Sequence, residues 1–72
     1  MSTIMNKFTD VLKDNMDKLI NTETLPGLVL TVQKTLVEHN LENTRPAHQL
    51  VNALLHSTGH DEAIQTLFKF MI

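Results

Sequence analysis

The side chains best suited to metal chemistry in this 72-residue sequence are four histidines, His39, His48, His56 and His60. Two histidines four residues apart lie on one face of a helix and can bind one metal ion, and only His56 and His60 have this spacing. Gly59 lies between them and is expected to end the helix, which separates the two imidazoles. The chain has no cysteine to supply a thiolate ligand for zinc. We therefore predict no metal site and no cofactor.

The two serines give no sign of a nucleophile site. Ser2 lies next to the start of the sequence, and Ser57 follows His56 in a predicted turn without an oxyanion motif around it. A chain this short is also expected to have little room for a substrate pocket of ~300 Å³ or more. We therefore predict that the protein is not an enzyme and has no small-molecule substrate.

Charge and hydropathy argue against nucleic acids and membranes as partners. The formal net charge is −2, from 6 Lys and Arg against 8 Asp and Glu, so the basic footprint of a nucleic-acid-binding protein is missing. No apolar run reaches the ~18 residues that span a bilayer, and the first residues lack the apolar core of a secretory signal. We expect a cytoplasmic protein without a membrane partner.

The elements that position these residues are predicted to be helices, and the most apolar of them covers residues 25–39. Thr24 is a suitable N-cap for it, and Pro26 lies in its first turn. At 100° per residue, Leu30 and Val37 lie opposite the main apolar side. That main side contains Leu25, Leu28, Val29, Val32 and Leu36. A helix that is apolar on two sides is expected to be covered on both, which makes it the centre of the fold. A strand is disfavoured because no second strand-like segment exists to pair with it.

The first helix is predicted over residues 2–20, where apolar residues recur at spacings of three and four. Ser2 or Thr3 can serve as its N-cap. Asn15 interrupts the apolar stripe, and a polar residue within a helix seam can set the register or the choice of partner. We therefore predict Asn15 to be a register or specificity residue.

Two further helices follow the apolar one. Asn40 is expected to end the second helix in a left-handed conformation, Thr44 caps the third helix, and Asp61 lies at the start of the fourth. The sequence thus predicts one helical domain over residues 1–72. Its fold class is all-α, with a small four-helix bundle packed around the central second helix.

The fourth helix is predicted to carry a partner-binding surface at its C-terminal end. Its members are Ala63, Leu67, Phe70, Met71 and Ile72. The last three are the final residues of the sequence, so we expect no later segment to bury them. Exposed Phe70 and Ile72 would contribute to an apolar patch that soluble monomers seldom tolerate. We expect either a homodimer, which we prefer, or another protein docked on this surface.

We have found no sign of a metal site, a catalytic site, or a nucleic-acid or membrane partner, and the helices carry more apolar surface than their neighbours are expected to cover. Together these observations predict a non-enzymatic protein–protein interaction module. Such a module would be a small regulator or inhibitor that acts by binding another protein. The alternative is a DNA-binding or transcription-associated regulator in which the second and third helices form a helix-turn-helix. Against this alternative, the third helix contains Arg45 as its single Lys or Arg, whereas a DNA-reading helix usually carries several.

Overall fold

The computed structural model describes residues 3–72, which form α-helices joined by short loops. The helices are α1 (Thr3–Asp14), α2 (Met16–Ile20), α3 (Leu25–Glu38), α4 (Arg45–Leu55) and α5 (His60–Lys69). No strand occurs in this described part of the chain, so the predicted all-α class is confirmed there. The fold measures 32 × 20 × 19 Å, with a radius of gyration of 11.0 Å.

The predicted first helix is divided at Asn15, so five helices are described where four were predicted. The Asn15 backbone N–H is shared between the carbonyls of Val11 and Leu12, and its Nδ2 donates to the Val11 carbonyl at 2.8 Å. Asparagine side chains that bind nearby backbone carbonyls compete with the regular hydrogen bonds of a helix. The break at Asn15 follows from this competition. The beginning of the predicted helix, with Ser2 as its N-cap, lies outside the described residues.

Helix α3 forms where the apolar run predicts it and contacts α2, α4 and α5. Thr24 Oγ1 accepts a hydrogen bond from the Gly27 N–H at 3.1 Å, and Pro26 lies in the first turn. One side of the helix is buried, through Leu28, Val29, Val32, Thr35 and Leu36. The opposite side is open, because Leu30 and Val37 are 53% and 55% exposed. The expectation that both sides are covered is therefore wrong, since all three neighbours share the buried side.

The core is formed by all five described helices and by the α3–α4 loop. Its fully buried side chains include Phe8, Leu12, Leu19, Leu28, Val32, Leu36, Leu50, Leu54, Ala63 and Leu67. In the α3–α4 loop, Asn40 has the predicted left-handed conformation, with φ of 58°. The next residue, Leu41, is buried, and its N–H donates to the Leu36 carbonyl at 2.8 Å. This turn ends α3 and brings α4 back alongside it.

Candidate functional site

Two of the histidines bind the backbone at the C-terminal ends of helices. His39 Nδ1 lies 2.9 Å from the Thr35 carbonyl oxygen, and His56 Nδ1 lies 2.8 Å from that of Asn52. Because a carbonyl oxygen only accepts hydrogen bonds, each Nδ1 carries a proton. The His39 imidazole thus supplies a donor to a carbonyl in the last turn of α3, whereas the His56 imidazole adds a second donor to the Asn52 carbonyl, which also accepts from the His56 backbone N–H at 3.2 Å.

His60 connects two separate parts of the fold. Its Nε2 lies 2.9 Å from Thr22 Oγ1, and the Thr22 hydroxyl donates its single proton to the Leu19 carbonyl at 2.8 Å. His60 Nε2–H must therefore be the donor to Thr22, and this bond ties the α2–α3 loop to the first residue of α5. His56 ends α4 and His60 begins α5, so the two do not share a helix face. Within residues 3–72, no three His, Asp or Glu side chains are grouped so that they could hold a metal ion.

The five residues predicted as a partner-binding surface are divided between the core and the exterior. Three are buried: Ala63, Leu67 and Met71. Ala63 and Leu67 lie four residues apart on one side of α5, which packs against the rest of the fold, and Met71 follows in the turn after this helix. All three side chains lie in the core of the folded chain, and their role in partner binding stays a prediction. Phe70 is half-buried, Ile72 is fully exposed, and Phe68, which the prediction did not include, is 44% exposed.

Asn15, predicted to set register or partner choice, lies half-buried at the junction of α1 and α2. Its side-chain amide binds the carbonyl of Val11 in its own chain. This bond accounts for the helix break. A role of Asn15 in partner choice stays a prediction.

A groove of about 690 Å³ lies between α3 and α4 and opens to solvent. Leu36 and Ala47, each 1% exposed, form its floor. Its walls include Val37 from α3 and Leu55 from α4, which are 55% and 62% exposed, together with the half-buried Val51. The expectation that so short a chain has little room for a pocket of ~300 Å³ or more is therefore wrong. The short α3–α4 loop places the two helices side by side, and the groove is the space between their outward sides.

The polar lining of the groove is mostly uncharged. Amide side chains of Gln33, Gln49 and Asn52 contribute to it. Glu42 is the one Asp, Glu, Lys or Arg among the described lining residues, and it lies in the loop before α4. Glu42 and the neighbouring His48 are both exposed. The groove can thus bury aliphatic groups of a ligand and form hydrogen bonds with polar groups next to them, and it presents one negative charge at its loop end.

The cationic side chains do not form a patch on one helix. The Lys and Arg residues are spread over all five described helices: Lys7 and Lys13 on α1, Lys18 on α2, Lys34 on α3, Arg45 on α4 and Lys69 on α5. Lys18 Nζ lies 3.6 Å from Glu38 Oε1, which links α2 to the end of α3 at the surface. None of the helices in residues 3–72 is long and apolar enough to cross a membrane.

Comparisons with protein-family models, with curated proteins and with solved structures found no match for this chain. The signal for the groove was present in the sequence, as the second apolar side of the central helix. Sequence reasoning assigned Val37 to a covered face, and so missed that this side chain is open to solvent.

Proposed function

We propose that this chain is a non-enzymatic protein–protein interaction module, a small regulator or inhibitor that binds another protein through the α3–α4 groove. The observation that carries the proposal is the pair Val37 and Leu55. Each is more than half exposed, each comes from a different helix, and both line one groove above a buried floor. Burial of a whole Val or Leu side chain contributes ~1.5–3 kcal/mol. A partner that covers the exposed half of Val37 and of Leu55 would gain part of this amount from each, which is a substantial source of affinity.

The composition of the groove supports binding rather than catalysis. Protein interfaces combine an apolar centre with a polar rim and few charged groups at the centre. The groove has this arrangement, with aliphatic walls, the amides of Gln33, Gln49 and Asn52, and one carboxylate. Glu42 and His48, the acidic and imidazole side chains of the lining, are exposed to water, whereas catalytic groups usually act in a site that excludes water.

The test is capture of proteins from a lysate of the source organism on the immobilised chain. Val37→Lys and Leu55→Lys each place a charge in the groove. Lysine suits both positions, because they lie in the last turns of α3 and α4, where a cation is favourable. Ile4→Lys is the matched control, since Ile4 is 48% exposed on α1 and does not line the groove.

We expect at least one protein to be captured by the parent and by Ile4→Lys and to be lost from both groove variants. Circular dichroism of all four chains checks that the fold is retained. Capture that is equal on all four chains, or no capture at all, contradicts the proposal.

Self-association through the end of α5 is the second candidate, as the homodimer predicted from the sequence. It is favoured by Phe68, Phe70 and Ile72, which place apolar surface at that end of the fold. Because Ala63, Leu67 and Met71 are buried, the proposed dimer contact is smaller than the one expected from sequence.

A further inference from the structure

We infer that the α3–α4 groove takes an amphipathic helix from another protein, with the N-terminus of that helix at the Glu42 end. This inference rests on the proposed function and adds the class of partner and its direction.

The length of the groove matches a short helix. Along α4 the lining residues extend from Ala47 to Leu55, which at 1.5 Å per residue is about 12 Å. Three anchors at positions i, i+4 and i+7 of a helix span about 11 Å. Val37, Val51 and Leu55 offer aliphatic contacts to such anchors. Helices that bind in apolar grooves use this spacing.

The charge of Glu42 determines the direction in which the partner helix lies in the groove. Glu42 lies in the loop that connects α3 to α4, where the C-terminal end of α3 meets the N-terminal end of α4. The partial charges of these two helix ends have opposite signs and offset each other. Glu38 is paired with Lys18 at 3.6 Å, and neither Glu38 nor Arg45 lines the groove, so Glu42 is the charge that lines this end. The N-terminal end of a bound helix carries a partial positive charge and is stabilised beside Glu42, whereas its C-terminal end is destabilised there.

A second copy of the chain is a less suitable occupant of the groove than a different protein, because of the Glu42 charge. In a two-fold contact of groove with groove, both partners present the same surface. Each copy would bring its own Glu42, and no Lys or Arg is among the described lining residues to pair with it. The helix of a different protein has no such restriction.

The first part of the test is selection from a phage-displayed library of random 12-residue peptides on the parent chain. We expect the enriched peptides to share apolar residues at i, i+4 and i+7. A synthetic peptide with this consensus should gain helical circular dichroism on binding. Its affinity should fall at least tenfold for Val37→Lys and stay within twofold for Ile4→Lys.

The second part tests direction with the same peptide, prepared with a free or an acetylated N-terminus. The free amine adds a positive charge beside Glu42 and should strengthen binding to the parent about twofold to fivefold at low salt, the size of an exposed charge pair. Glu42→Lys should reverse this preference. A peptide with a lysine added at its C-terminus is the control, and this addition should change its affinity equally for the parent and for Glu42→Lys.

The outcomes separate this inference from the proposed function. Enriched peptides with alternating, strand-like spacing, or no Val37-dependent peptide, overturn the helical partner. A charge effect at the C-terminus of the peptide in place of the N-terminus overturns the direction. A parent chain that sediments as a dimer, and as a monomer after Val37→Lys, assigns the groove to a second copy. If lysate capture still depends on Val37 in these cases, the proposed function stands and this inference alone fails.

Discussion

Replacing Leu36 by Ala removes the side-chain carbons beyond Cβ from a position that is only 1% exposed and lies in the middle of the core. Buried Leu→Ala substitutions destabilise proteins by ~2–5 kcal/mol, from lost burial and the cavity left behind. At about 0.05–0.15 kcal/mol per residue, a domain of this length has a total stability of about 4–11 kcal/mol. The substitution therefore removes a substantial share of the free energy of unfolding, and a domain near the lower end of this range would be left with a substantial unfolded population.

The matched control is Leu30→Ala, because Leu30 is the same residue type on the same helix and is 53% exposed. Surface substitutions usually change stability by no more than about 0.5 kcal/mol. Urea unfolding followed by circular dichroism is the suitable assay, since the chain has no Trp or Tyr for fluorescence. With ~1–3 kcal/mol per molar urea as the slope, the Leu36→Ala midpoint should fall by about 1 M or more below that of Leu30→Ala. Equal midpoints for the two variants would refute the placement of Leu36 in the core.

Three further predictions concern ligands and assembly. Zinc or nickel should not raise the melting temperature, since binding to the folded state would stabilise it; a saturable rise that is lost on replacing His56 and His60 by Ala contradicts this. Fluorescence anisotropy should detect no salt-dependent binding to random duplex DNA, and such binding would favour the helix-turn-helix alternative. At tens of micromolar, sedimentation should show a homodimer that Phe70→Asp converts to a monomer. A parent chain that sediments as a monomer would contradict self-association through the end of α5.

Local signals predicted those parts of the fold that depend on neighbouring residues. The Thr24 cap, the helix after it and the left-handed Asn40 follow from side-chain and backbone preferences over a few residues. The helix break at Asn15 was missed because apolar residues recur at helical spacing on both sides of it, with Leu12 before and Leu19 after. Only the hydrogen bond from the Asn15 side chain to the backbone reveals why the helix ends there.

The candidate site was less predictable, because periodicity shows which sides of a helix are apolar but not which of them a neighbour covers. For α5, the apolar stripe is wider than its contact, so Leu67 is buried while Phe68 is exposed. For α3, Val32 and Val37 are equally apolar, yet only Val32 is covered. Such choices depend on the arrangement of all the helices, and the groove between α3 and α4 follows from them.

The central claim is that the α3–α4 groove is the binding surface, and amide chemical-shift mapping tests it most directly. The ¹⁵N-labelled chain is titrated with a protein that it captures from the lysate. The account predicts that the largest shift changes fall on groove residues, with Val37, Val51 and Leu55 among them. Changes confined to the end of α5, around Phe68 and Ile72, would contradict it.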